Sequence, residues 1–105
     1  MSVLLEFSMF PTDKGESVSE YVSKIIKMID KSGVKYQLTA MGSIVECDTM
    51  ENALKVINDS YKVLEPYSNR IYCDIKLDIR KNRQNAINLK IKSIQDKIDN
   101  NVSIL

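Results

Sequence analysis

Apolar residues recur along this chain with two periods, and the switches between them mark out the elements. From residue 2 to 10 they alternate. Leu5, Phe7 and Met9 fall to one side and Leu4, Glu6, Ser8 and Phe10 to the other, the signature of a strand. Pro11 closes this stretch, and Thr12 to Glu16, with Gly15, reads as a loop. The period then lengthens. Val18, Tyr21, Val22, Ile25, Ile26 and Ile29 share one helical face up to about Lys31, and Ser32-Gly33 supplies the stop. Ser17, three residues before Glu20, predicts a capping box. A short strand follows at 35–40, around Tyr36 and Leu38, then a turn at Met41-Gly42 and a further strand at 43–48. Asp48 with Glu51 predicts a second capping box, opening a helix over about 49–64 with Met50, Ala53, Leu54, Ile57, Tyr61 and Leu64 on one face. Pro66 closes it.

Residues 70–80 alternate cleanly, with Ile71, Cys73, Ile75, Leu77 and Ile79 one way and Tyr72, Asp74, Lys76, Asp78 and Arg80 the other. That pattern predicts a strand with one face on a core and one face polar. A last helix, about 84–99, carries Ile87, Ile91, Ile94 and Ile98 at helical spacing.

The order β-α-β-β-α-β plus a C-terminal helix is the split βαβ, or ferredoxin-like, arrangement of the α+β class. It predicts a domain over residues 1–99 and a tail at 100–105. The expected strand order in space is 4-1-3-2, with the helices covering one face and the other face left open. The first and third strands then lie side by side in the centre, and each carries a glutamate in an otherwise apolar run: Leu4-Leu5-Glu6-Phe7 and Ile44-Val45-Glu46-Cys47. The open face is expected to hold Leu4, Glu6, Ser8, Ile44, Glu46, Tyr72, Asp74 and Lys76.

A carboxylate in a central strand is costly unless a cation or a hydrogen-bond donor meets it. One answer is Lys76, within a salt-bridge network between subunits. The other is a ligand with a positive or donor-rich group. Leu4, Ile44 and Tyr72 on the same face predict sheet-on-sheet self-association, a dimer that pairs into a tetramer.

Composition narrows the function. The chain has 105 residues, a net charge of +1 and no histidine. With no basic excess there is no field to hold a nucleic-acid backbone. The short run Arg80, Lys81, Arg83 reads as a solvated turn. The absent histidine removes the commonest general base and the Ser-His-Asp and Cys-His arrangements. Three glycines form no phosphate-binding loop. No apolar run approaches a membrane span, and Met1 to Phe10 lacks the pattern of a signal peptide. Cys47 and Cys73 read as core residues in a reducing cytoplasm, on strands too far apart to be bridged, and with no histidine they are too few for a zinc site. No catalytic residue, metal or cofactor is expected.

Glu6-Phe7-Ser8-x-x-Pro11, Gly15-x-Ser17-Val18-Ser19-x-Tyr21-Val22, Ser32-Gly33-x-x-Tyr36-x-Leu38-x-x-Met41-Gly42-Ser43-x-Val45-Glu46, and then Arg70 with Ile75 to Arg83, together resemble the thiamine-binding protein family. The resemblance runs to about Ile98. It implies a small cytoplasmic ferredoxin-like subunit that forms dimers and commonly tetramers through its sheets. It also implies binding of thiamine or its hydroxymethylpyrimidine part, without catalysis. Ser43 stands where the family typically has threonine, and Cys47 where it often has glycine.

Thiamine's chemistry suits the residues. Its thiazolium is cationic and its aminopyrimidine donates a hydrogen bond, so a carboxylate pairs with either. The candidate ligand-binding residues are Glu6 and Glu46, with hydroxyls from Ser8, Thr39 and Ser43. Tyr36, Phe10 and Tyr72 are candidate stacking partners or simply packing residues. The alternative is an oligomeric interaction or regulatory module that does not bind thiamine. An enzyme is the third reading.

Overall fold

The computed structural model describes residues 1–98, and the tail expected at 100–105 lies outside them. The elements are β1 (Ser2–Pro11), α1 (Ser19–Ser32), β2 (Lys35–Thr39), β3 (Gly42–Cys47), α2 (Met50–Leu64), a 3-10 turn (Glu65–Tyr67), β4 (Ile71–Arg80) and α3 (Ala86–Ile98). The sheet order is β2-β3-β1-β4 and every neighbouring pair is antiparallel. This is the ferredoxin-like α+β arrangement with an added C-terminal helix, as the periodicity predicts, but the helices do not all share one face. α1 and α2 cover the side of Val45 and Cys47, while α3 lies on the opposite side, where its first N–H groups meet Glu46.

Alternation along β1 and β3 sends Val3, Leu5, Phe7, Met9, Val45 and Cys47 toward the helices. There they meet Ile25 and Ile29 of α1 and Ala53, Val56 and Leu64 of α2. Both cysteines are free. They lie on β3 and β4 with β1 between, about two strand spacings or ~10 Å apart, beyond the reach of a disulfide.

Three further expectations are corrected. Ser17 forms no capping box. Val18 occupies the cap position of α1 because its carbonyl accepts from the backbone N–H groups of Tyr21 and Val22, while the Ser17 hydroxyl lies 3.5 Å from that of Ser19. Asp48 does not cap α2. Thr49 does, accepting from the Asn52 N–H at 3.1 Å. The third correction concerns β4. Ile71 and Cys73 pack against the core, but Ile75, Leu77 and Ile79 remain 43%, 38% and 47% exposed. The reason is helix placement: α2 packs over β1 and β3, so the far half of edge strand β4 is left uncovered.

The cap assignment makes a simple contrast. Thr49→Ala should lower unfolding free energy by about 1 kcal/mol, while Ser17→Ala should change it by less than about 0.5 kcal/mol. Urea titration of the two variants beside the wild type measures both.

Candidate functional site on the open face of the sheet

The ladders place the side chains of the uncovered face. Glu6 stands opposite Ile44 on one side and Lys76 on the other, and Glu46 stands opposite Leu4 and Lys35. The twin glutamates are therefore diagonal neighbours on the two central strands. Their surroundings differ sharply.

Glu46 is engaged. One carboxylate oxygen accepts from the Ser2 hydroxyl at 2.8 Å and the Ala86 N–H at 2.9 Å, and the other from the Ile87 N–H at 3.3 Å. Ala86 and Ile87 open α3, where backbone N–H groups lack intrahelical partners and the helix dipole favours an anion. A strand carboxylate thus caps a helix forty residues away. Partial burial pushes its pKa up. The donors of Ala86, Ser2 and Ile87, with the Lys35 charge, outweigh that, so the carboxyl sits below the ordinary glutamate value.

Arg83 secures the same corner, and here the expectation of a solvated turn fails. The guanidinium is buried, donating to the Asp78 carboxylate at 2.9 Å, the Asp78 carbonyl at 2.8 Å, and the Ser2 carbonyl and hydroxyl at 3.3 Å each. Lys90 of α3 adds a 2.6 Å bond to Asp78. Lys90 and Arg83 hold the Asp78 carboxyl at about 2. Ser2, Asp78 and Arg83 went unrecognised as a unit. The sequence signal was only an acid five residues before one base and twelve before another.

Both carboxyls have depressed folded-state pKa values, so each contributes stability above its unfolded value and loses it as pH falls through the folded one. The window opens below the ordinary glutamate value of 4.5 and extends toward about 2 for Asp78. Hydrogen exchange of α3 amides should therefore lose protection between about pH 4 and pH 2 before β1 and β3 do. Uniform loss across the sheet and α3 would contradict this.

Glu6 is less committed. Its side chain is 50% exposed, and the Lys76 ammonium lies 3.8 Å from it. Ser8 stands two residues along and donates to the Met41 carbonyl at 2.9 Å. Glu6, Ser8, Met41, Asp74 and Lys76 line a hollow of about 40 Å³. The Thr39 hydroxyl is used by the β2–β3 hairpin, donating to the Gly42 carbonyl at 2.8 Å and accepting from the Gly42 and Met41 N–H groups at 3.1 and 3.3 Å. Ser43 pairs with Phe7 and Leu38 and is buried on the helix side, not on the open face. A hollow of about 200 Å³ at the hairpin joins Ser8, Thr39 and Ser43.

The candidate residues therefore form three places, not one: Glu6 with Ser8, the hairpin hydroxyls, and Glu46 under α3. A larger cleft of about 530 Å³, between the C-terminal end of α1 and the first turns of α2, includes Glu46 but none of the other four. Among the aromatics, Phe10 and Tyr72 pair on the open face with centroids 5.7 Å apart. Tyr36 lies on the helix side, its hydroxyl donating to Asp30 at 2.9 Å. Among the described residues, no group of three or more acids and cysteines is placed to hold a metal, and no helix is long and apolar enough to cross a membrane.

A ferredoxin-like α+β domain with an open sheet, a half-exposed carboxylate near its centre and a C-terminal helix latched at one corner defines the class. The chain belongs to the thiamine-binding protein family, whose model matches residues 5–95. It is 35% identical over 92 residues to the UPF0045 protein MJ1052 of Methanocaldococcus jannaschii, covering 88% of this chain and 91% of that one. The crystal structure of MJ1052 superposes with a TM-score of 0.81 at 34% identity, over 90% of this chain and 97% of that one. The UPF0045 protein Mb1933 of Mycobacterium bovis is 30% identical over 95 residues, covering 90% and 93% of the two chains. A Bacillus cereus domain, DUF77, shares the fold with a TM-score of 0.77 at 24% identity, over 92% and 93% of the two chains.

Proposed function

We propose that the chain is a cytoplasmic binding protein for thiamine or its hydroxymethylpyrimidine part, with no catalytic step, and that the ligand sits between the open faces of two copies. Family membership supports the ligand class. The observation that carries the site is Glu6, a half-exposed carboxylate near the middle of the sheet, from which the Lys76 ammonium stands off at 3.8 Å. A thiazolium or an aminopyrimidine would take the place that Lys76 fills only loosely, with a charge-assisted bond. Glu46 is the weaker candidate because its oxygens already accept from Ser2, Ala86 and Ile87.

The hollow beside Glu6, at about 40 Å³, has room for roughly a water molecule. A ligand of thiamine's size needs a second wall, and the sheet of a facing copy would supply it. Leu4 and Ile44, partly buried beside the glutamates, would be covered by the same contact. Ser8 adds a hydroxyl next to Glu6, and the Phe10–Tyr72 pair offers a flat surface at one end of the face. Thr39 and Ser43 would act by shaping the hairpin.

A second reading rests on the Glu6–Lys76 pair: an assembly or regulatory module in which that pair serves the interface. A thermal-shift panel of thiamine, its phosphates and hydroxymethylpyrimidine separates the two. A ligand that binds only the folded state raises the melting temperature with concentration. A flat panel would favour the assembly module.

A further inference from the structure

The cleft of about 530 Å³ between the end of α1 and the start of α2 shares no lining residue with the hollows at Glu6 and at the hairpin. Its size is that of a small-molecule site. Met28, Val34, Val56 and the buried Cys47 give it an apolar floor. Burial, with the nearby Asp48 and Glu46 charges, pushes the Cys47 thiol up, so the floor stays uncharged. At the back of the cleft Glu46 and Lys35 are already engaged, Glu46 by the start of α3 and Lys35 by the Asn85 side chain at 2.8 Å.

The wall on the α2 side has a definite order: Asp48, Asn52, Lys55, Asp59. Thr49 caps the helix, which leaves Asp48 spare. Among the described residues, none donates a hydrogen bond to the Asp48 carboxylate and none bonds the Asn52 side-chain amide. Across from Asp48 stands the end of α1 at Ser32-Gly33, where the last helical carbonyls carry partial negative charge. This end of the cleft favours a cation. At the other end the Lys55 ammonium lies 2.6 Å from Asp59 and keeps donors to spare, so it favours an anion. A plain cation would meet Lys55, and a plain anion would meet Asp48. Both ends are served by a molecule that carries one charge of each sign.

We propose that this cleft binds a small linear zwitterion of dipeptide length, its ammonium on Asp48, its carboxylate on Lys55 and its apolar side chains on the floor. Spacing sets the length. Asp48 and Lys55 are seven residues apart, and the Lys55 ammonium is drawn onward toward Asp59. At ~1.5 Å of rise per residue the two charges stand roughly 13 Å apart. Two extended residues span ~7 Å, and a hydrogen bond of ~3 Å at each end closes that interval. A single amino acid falls short by about 4 Å, and a tripeptide overshoots by about as much. Between the two ends, the Asn52 amide offers one acceptor and a donor face, the complement of a single peptide group. Charge-assisted bonds at the ends fix the direction of the chain, and burial on Met28, Val34 and Val56 adds affinity.

The test uses the full chain, with L-leucyl-L-leucine as the probe. Calorimetry should show saturable binding. Free leucine, N-acetyl-leucyl-leucine and leucyl-leucinamide, which lack the length or one of the charges, should each bind about tenfold more weakly or worse. Asp48→Asn and Lys55→Met should each weaken dipeptide binding about tenfold or more, and Asn52→Leu about fivefold. None of these side chains is buried or caps a helix, so the urea midpoints of the variants should stay near that of the wild type. Thiamine titrations should be unchanged in all three, and saturating thiamine should leave dipeptide binding intact. No saturable binding of the dipeptide, or binding that free leucine equals, would overturn the proposal. Dipeptide affinity that survives both Asp48→Asn and Lys55→Met, or displacement of the dipeptide by thiamine, would overturn it as well.

Discussion

Replacing Glu46 by glutamine should free α3 from the sheet while leaving the core intact. The variant keeps one carbonyl acceptor but loses the charge that faces the first N–H groups of the helix, and it retains at best part of the bonding that Ser2, Ala86 and Ile87 now supply. Charge-assisted bonds of this kind are worth roughly 1.5–3 kcal/mol each, and helix caps about 1 kcal/mol. A local loss of about 2 kcal/mol corresponds to roughly thirtyfold faster opening by hydrogen exchange over α3. The helix has little else to hold it. Ala86 and Ile87 are buried, but Leu89, Ile94 and Ile98 are each more than half exposed. Protection in β1, β3 and α2 should stay near that of the wild type, and so should thiamine binding. Lost binding with undiminished α3 protection would give Glu46 the ligand role instead.

Glu6→Gln should have the opposite profile. The ion pair with Lys76 is long and exposed, so its loss should change unfolding free energy by less than about 0.5 kcal/mol. A carboxylate bonded to a cationic or amino group in a pocket shielded by a second subunit is worth more, and its neutralisation should cost roughly ten- to a hundredfold in thiamine affinity by calorimetry. The control is Ile44→Asp, which should dissociate the open-face pair and remove binding with it. Thiamine affinity unchanged in Glu6→Gln would separate the ligand from this carboxylate. Wild-type protein with no saturable binding would leave the pair with Lys76 as the role of Glu6.

Element types and their order were legible in the sequence because they depend on local periodicity. The period-2 runs around Phe7, Val45 and Ile75 and the helical stripes through Ile25 and Ala53 need no knowledge of what they pack against. The same alternation placed Glu6 and Glu46 on the face opposite α1 and α2, and the chain order of a split βαβ put their strands side by side. Cap assignments were less legible. Ser17, Val18, Asp48 and Thr49 are adjacent choices, and the backbone path of the preceding loop decides which of them meets the free N–H groups.

What the tertiary structure alone decided is the fate of two equivalent glutamates. Leu-Leu-Glu-Phe and Ile-Val-Glu-Cys are the same pattern, and nothing local separates them. The distinction is made by α3, which starts from the far end of β4 and delivers Ala86, Ile87 and Lys90 to one corner of the sheet, with Arg83 buried beneath. Glu46 lies at that corner and becomes a helix cap; Glu6, diagonal to it, is left half in water. The bare strip on β4 has the same kind of origin. Its alternation announced a strand with one apolar face, but whether that face is covered depends on where α2 lands, and α2 lands on β1 and β3. Periodicity along the chain determines which way a side chain points. Contacts between residues far apart in sequence determine what it meets.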